Sequence, residues 1–235
     1  MTSAEFDEDG GCVLAIGAHP DDVVLGIGGL LAKLSKSGYS VVALSLSSGE
    51  LSGAADLREA EEEEAARRLG VKVEFARFPD GSIPVQGAIG AIGEVIRRYN
   101  PVVVFAHSKD DTHQDHVATW EAAVVSCRRV PTFLTYEGPS SLGFQPTVTL
   151  DVTNTWARKL HALAAYTSQV PSKPLLHWVD AVARYRAWPR HIGAFCEGFR
   201  MCHSETLSFP RAASSLLASV GEEVDLFADA GERVG

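Results

Sequence analysis

Apolar, mostly β-branched runs alternate with amphipathic stretches through the first 137 residues. CVLAIG (Cys12–Gly17) reads as a fully buried strand followed by a Gly-rich turn. Val24, Leu25, Leu30, Leu31 and Leu34 then recur at three- and four-residue spacing, which predicts a helix that stops at Gly38. Ser40 to Ser47 forms a second strand. Asp56 stands where it can cap the next helix, LREAEEEEAARRLG, whose end carries Arg67, Arg68 and Gly70 as the helix dipole favours. VKVEFARF, a helix over 87–100, PVVVFAH, a helix HVATWEAAVVSCRR and a strand TFLTYE continue the alternation. Strands separated by helices imply βαβ units and a parallel sheet covered on both faces. The fold class is α/β: a Rossmann-like, doubly wound, mostly parallel sheet, in which an order of 3-2-1-4-5 would make strands one and four neighbours.

After Glu137 the alternation weakens. TVTLDVT reads as an extra strand and TWARKLHALAAYTSQ as a helix, whereas residues 170–199 bear Pro and Trp and read as irregular. The expected organisation is one domain over residues 1–235. It divides into an α/β core at 1–137, a C-terminal extension at 138–210 that lines and caps the cleft, and a mobile tail at 211–235.

Composition narrows the function classes. An apolar share of 46% is too high for a solvated coil. The charge of 21 − 30 = −9 disfavours nucleic acid and anionic membrane as partners. No run of about 18 apolar residues exists to span a bilayer, and MTSAEFDEDG lacks the basic and apolar pattern of a secretory signal. Cys12, Cys127, Cys196 and Cys202 form no CxxC pair, and Cys12 and Cys127 sit in apolar stretches as core residues. A soluble cytoplasmic protein is expected, with a homo-oligomer left open.

Two segments are dense in metal-capable side chains, and each follows a buried strand. One is Ala18-His19-Pro20-Asp21-Asp22; the other runs from His107 to His116 as HSKDDTHQDH. In an open parallel sheet, loops at the carboxyl ends of neighbouring strands meet at the switch point, here between strands one and four. His19 and Asp22 are three residues apart, as are His113 and His116, a spacing that brings side chains to one side of a turn. Two imidazoles and one carboxylate leave one position open, the arrangement of catalytic zinc, and a zinc ion there would acidify water. Asp21 could accept a proton, and a further imidazole could stabilise an oxyanion and protonate a leaving amine. Gly26, Gly28 and Gly29 lie inside the apolar helix, so they read as close packing and not as a dinucleotide loop.

AHPDD after the first strand, DTHQDH after the fourth, and a helix carrying Arg58, Glu61, Ala65, Leu69 and Gly70 resemble the PIG-L/LmbE-like zinc N-deacetylases. FPDG, SSGE, YTSQ and CEGF match as well, so the resemblance extends to about Arg200. It implies deacetylation of an N-acetylglucosamine-type conjugate, a small molecule, with one zinc per chain on His19, Asp22 and His116. It further implies Asp21 as general base, His113 as the group that polarises the amide or protonates the amine, and Asp115 as the carboxylate that orients His113. Arg58 and Asp80 would contact sugar hydroxyls, with Glu50 and Asp111 in the same substrate-binding set. Val23 stands where the family usually has Glu, and Gln114 where Pro is frequent. A catalytically silent sugar-binding relative and a metal phosphoesterase are the alternatives. His107 is expected behind the ligands, His161 on a structural or surface position, His177 beside the cleft, and Glu61–Glu64 on a helix face paired with Arg67 and Arg68.

Overall fold

The computed structural model describes residues 11–169 and 174–204. β1 (Cys12–Gly17) lies inside a seven-stranded sheet, with β2 (Ser40–Ser47) parallel on one side and β4 (Val103–His107) parallel on the other. β3 (Lys72–Phe78) pairs parallel with β2, and β5 (Thr132–Tyr136) with β4. The first five strands follow the expected order, and the switch point falls between β1 and β4.

Alternation along β1 decides what it buries. Cys12, Leu14 and Ile16 join a core with Ile92, Val95, Ala122 and Ala123, contributed by α3 (Val85–Tyr99) and α4 (Gln114–Ser126). Leu14 and Ile16 are fully buried, worth about 1.5–3 kcal/mol each. α1 (Asp22–Lys36), α2 (Ala55–Leu69) and α5 (Trp156–Leu163) pack against one another. Asp56 lies in the first turn of α2 but does not cap it: Ala54 is the N-cap and makes no side-chain bond. Cys12 and Cys127 are buried, as expected.

The extension differs from the expected irregular region. It carries α6 (Leu175–Ala187) and a nine-residue strand β7 (Cys196–Ser204), which pairs antiparallel with both β5 and the edge strand β6 (Val148–Asp151). α6 buries only Val179, Ala183 and Ala187, one residue per turn, and leaves Tyr185 exposed, so its stripe is too thin to show as a period. The helix expected through Gln169 ends at Leu163. The expected tail at 211–235 lies outside the described residues.

Candidate active site

Beyond β1 the chain turns through His19, Pro20 and Asp21 into α1, and Asp21 takes φ 98°, a conformation that L side chains rarely adopt. Asp22 folds its carboxylate back into this turn. Its Oδ2 accepts from the amides of Ala18 (3.1 Å) and His19 (2.8 Å) and lies 3.1 Å from His107 Nε2. Its Oδ1 is 3.3 Å from His116 Nε2. Asp22, not the N-cap Asp21, therefore meets the turn's amides.

From the other side of the switch point, β4 ends in His107 and α4 begins at Gln114, with His113 as its N-cap. Asp111 Oδ2 lies 3.2 Å from His116 Nδ1, and Ser140 Oγ is 3.2 Å from the same nitrogen, which turns Nε2 toward Asp22. His107 stacks on His116 with centroids 3.9 Å apart. Burial and the neighbouring His116 charge push its pKa down to about 4 against the pull of Asp22, so it is neutral, with Nε2 within reach of both Asp22 and the Ala18 amide (3.3 Å). Its buried Nδ1 has no partner among the described residues.

His19 closes the cluster. Its Nδ1 is 3.3 Å from Asp22 Oδ2, and its Nε2 is 3.0 Å from Asp80 Oδ1 and 3.2 Å from Asp115 Oδ2. Burial works against charging His19 and His116. The hydrogen bonds and charges of the surrounding carboxylates outweigh it, raising them to about 10 and about 9. Burial likewise opposes ionisation of Asp22, but His116 and His107 hold its carboxyl well below the usual range.

Three groups of side chains bring potential ligand atoms within 4.8 Å of one another: His19, His113 and His116; Asp22, His107 and His116; and His19, Asp80 and Asp115. Asp22 touches both His19 and His116, at 3.3 Å each. A tetrahedral ion with bonds of ~2.0–2.1 Å holds its ligand atoms roughly 3.3–3.4 Å apart, and Asp22 stands at that spacing from His19 through Oδ2 and from His116 through Oδ1. His107 fits less well, because its ring stacks on His116 face to face. Asp80 and Asp115 already accept main-chain amides, from Leu51 and from Gly81 and Ile83.

Asp21 and His113 border the same cleft, of about 420 Å³, with Arg58, Asp80, Gln169 and an apolar wall of Leu25, Leu51 and Leu175. Burial, then the charge of Asp22, pushes the Asp21 carboxyl up to about 6 despite Arg58 and His19. His113 Nδ1 accepts from the Asp115 amide (3.2 Å), so Nε2 carries the proton. Burial and the charges of His116 and His19 lower its pKa.

The family PIG-L: GlcNAc-PI de-N-acetylase matches residues 14–127. The deacetylase YaiS of Escherichia coli K12 is 35% identical over 58% of this chain and 79% of its own length. The chain belongs to the PIG-L family. An N,N'-diacetylchitobiose deacetylase structure from Pyrococcus horikoshii superposes on this PIG-L protein with a TM-score of 0.73 at 25% identity, covering 85% of this chain and 86% of the other. A 4-oxalmesaconate hydratase of Pseudomonas putida KT2440 is 28% identical over 66% of this chain and 73% of its own.

Several expected roles change once the PIG-L site is laid out. The Asp115 carboxylate meets His19, and only its amide meets His113, because the first turn of α4 points the side chain back at the Gly81–Ile83 loop. Asp111 is no substrate contact: its side chain has no exposed surface, and it also takes bonds from Ser140, Ser141 and the His113 amide. Glu50 accepts the Asp80 amide (2.9 Å) and does not line the cleft. Arg58 and Asp80 do line it, yet Arg58 also grips Pro20 and Asp21, and Asp80 reaches His19. His177 is exposed on α6, outside the cleft lining. Val23, where the family usually has Glu, is buried.

The acidic run on α2 divides. Glu64 alone pairs with Arg67 and Arg68, at 2.7 Å each, whereas Glu61 and Glu62 are buried against the 166–168 segment. Glu61 accepts from the Thr167 hydroxyl (2.8 Å) and from the amide (2.8 Å) and hydroxyl (2.6 Å) of Ser168. Burial opposes its ionisation, but these bonds win and its pKa is lowered. Its stabilisation is therefore present above the unfolded carboxyl range near ~4.3 and lost as pH falls through the lowered folded value. Glu61→Gln is expected to flatten that acid dependence in urea unfolding; an unchanged pH profile would exclude the linkage.

Proposed function

We propose that this PIG-L protein hydrolyses the N-acetyl group of an N-acetylglucosamine-type small-molecule conjugate, releasing acetate and a free amine. It would use one zinc ion per chain on His19, Asp22 and His116. The observation that carries this reading is the convergence of that trio with Asp21 and His113 on one cleft. Zinc, when bound, supplies Lewis acidity and lowers the pKa of water toward neutrality. Asp21 takes a proton from the attacking water. His113 Nε2–H donates to the acetyl oxygen as charge develops there. The proton held by Asp21 passes to the nitrogen as the C–N bond breaks, so water is divided between acetate and amine. The family and the chitobiose deacetylase support the amino-sugar class, and the net charge of −9 supports a partner other than nucleic acid. The described residues contain no helix long and apolar enough to cross a membrane.

The test is amine release from a panel of N-acetylglucosaminides by zinc-restored protein, with metal content measured alongside. Amine release at about one zinc per chain is expected. Zinc-loaded protein that releases no amine would turn the reading toward hydration, the activity named for the Pseudomonas relative. Two metals with phosphate-ester turnover would turn it toward a phosphoesterase.

A further inference from the structure

α2 presents Arg58 and Glu62, four residues apart, to the loop that carries Asp21. Arg58 Nη2 donates to the Pro20 carbonyl (2.6 Å), and its Nη1 lies 3.3 Å from Asp21 Oδ2. Glu62 Oε2 accepts the main-chain N–H of Asp21 (2.9 Å) and the hydroxyl of Tyr166 (2.5 Å). Glu62 and Tyr166 are 3% and 1% exposed, and neither lines the cleft. Glu62 can therefore reach the chemistry only through Asp21.

The main chain at Asp21 needs such a partner. Its φ of 98° is disfavoured for any residue with a Cβ, so surrounding contacts must hold it. Its amide precedes the first intrahelical bonds of α1 and requires an acceptor. A carboxylate fixed at a second donor offers one with little freedom to move.

We propose that Glu62 is a positioning residue: it fixes the Asp21 backbone, and with it the aim of the Asp21 carboxylate, while Tyr166 holds Glu62 in place. The proposal rests on Asp21 acting as the base.

The test uses the full-length, zinc-loaded protein with Glu62→Ala, Glu62→Gln and Tyr166→Phe. Glu62→Ala is expected to lower kcat about 100-fold, the scale of a misplaced catalytic group. KM and zinc content should stay within about twofold, because binding is untouched. Glu62→Gln should recover most of the loss, since its amide oxygen still accepts the Asp21 N–H; Tyr166→Phe should fall between. Adding Glu62→Ala to Asp21→Asn should cost nothing further. A further independent loss, a parallel rise in KM or loss of zinc would overturn the proposal. A readout apart from turnover is hydrogen exchange at the Asp21 amide, expected to speed up in Glu62→Ala while the β1 amides do not change. If the wild-type protein releases no amine, the deacetylase reading fails on its own. Unchanged exchange at Asp21 would then still overturn the positioning role.

Discussion

Asp21→Asn is expected to keep about one zinc per chain while losing about 10²–10⁴-fold in kcat, the range of a lost general base. His116→Ala is expected to lose the ion itself. The distinction follows from what each side chain touches. Asp21 extends to Arg58 and takes no part in the three ligand groups, whereas His116 belongs to two of them and is aimed by Asp111 and Ser140. Asn preserves the volume of Asp21 and an oxygen for Arg58, so the loop is not left with an unpartnered guanidinium. Metal analysis of both variants beside steady-state kinetics decides the matter. Equal zinc loss in the two would show that Asp21 is a ligand or a support for the ligands, and the proposed division of roles would fail.

The sheet was legible because its inner parallel strands β1 and β4 are buried on both faces and read as unbroken apolar runs: CVLAIG and VVVFAH leave little else to predict. The switch point followed from strand order, and with it the meeting of His19 and Asp22 with His113 and His116. β7 stayed hidden for the opposite reason. CEGFRMCHS is buried only over its first half, and it enters the sheet antiparallel between β5 and β6, so neither an apolar run nor regular alternation marks it. Partners of fixed groups were less legible still. Asp111 and Asp115 look alike in HSKDDTHQDH, but α4 starts at Gln114, so one lies before the helix beside His116 and the other in its first turn beside His19. Glu61 and Glu62 were lost in a run of four like residues, because which of them faces inward depends on the roll of α2.

Glu197→Ala is expected to destabilise the protein by about 3–5 kcal/mol, the cost of stranding a buried partner charge. The reason lies in α1. Ile27 leaves helical geometry at φ −135°, ψ 17°, which interrupts the main-chain ladder midway along the helix. Lys159 Nζ donates to the freed Leu25 carbonyl (2.8 Å), and the amides of Gly29 and Leu30 donate to Glu197 Oε1 (2.9 Å) and Oε2 (2.8 Å). Lys159 and Glu197 pair at 2.7 Å, at 2% and 4% exposure. Gly29 permits this approach, since a Cβ there would meet Val152 Cβ at 2.8 Å and Glu197 Oε1 at 3.0 Å. One ion pair therefore stands in for a missing helical turn. Replacing a buried pair with apolar residues is often neutral, but here three main-chain groups would lose their partners as well. Lys159→Met combined with Glu197→Leu should thus remain destabilised, where an ordinary buried pair would recover. For a chain of this size the single variant should lower Tm by roughly 6–20 °C. Thermal and urea unfolding measure it. A double variant as stable as the wild type would show that the kink does not depend on the pair.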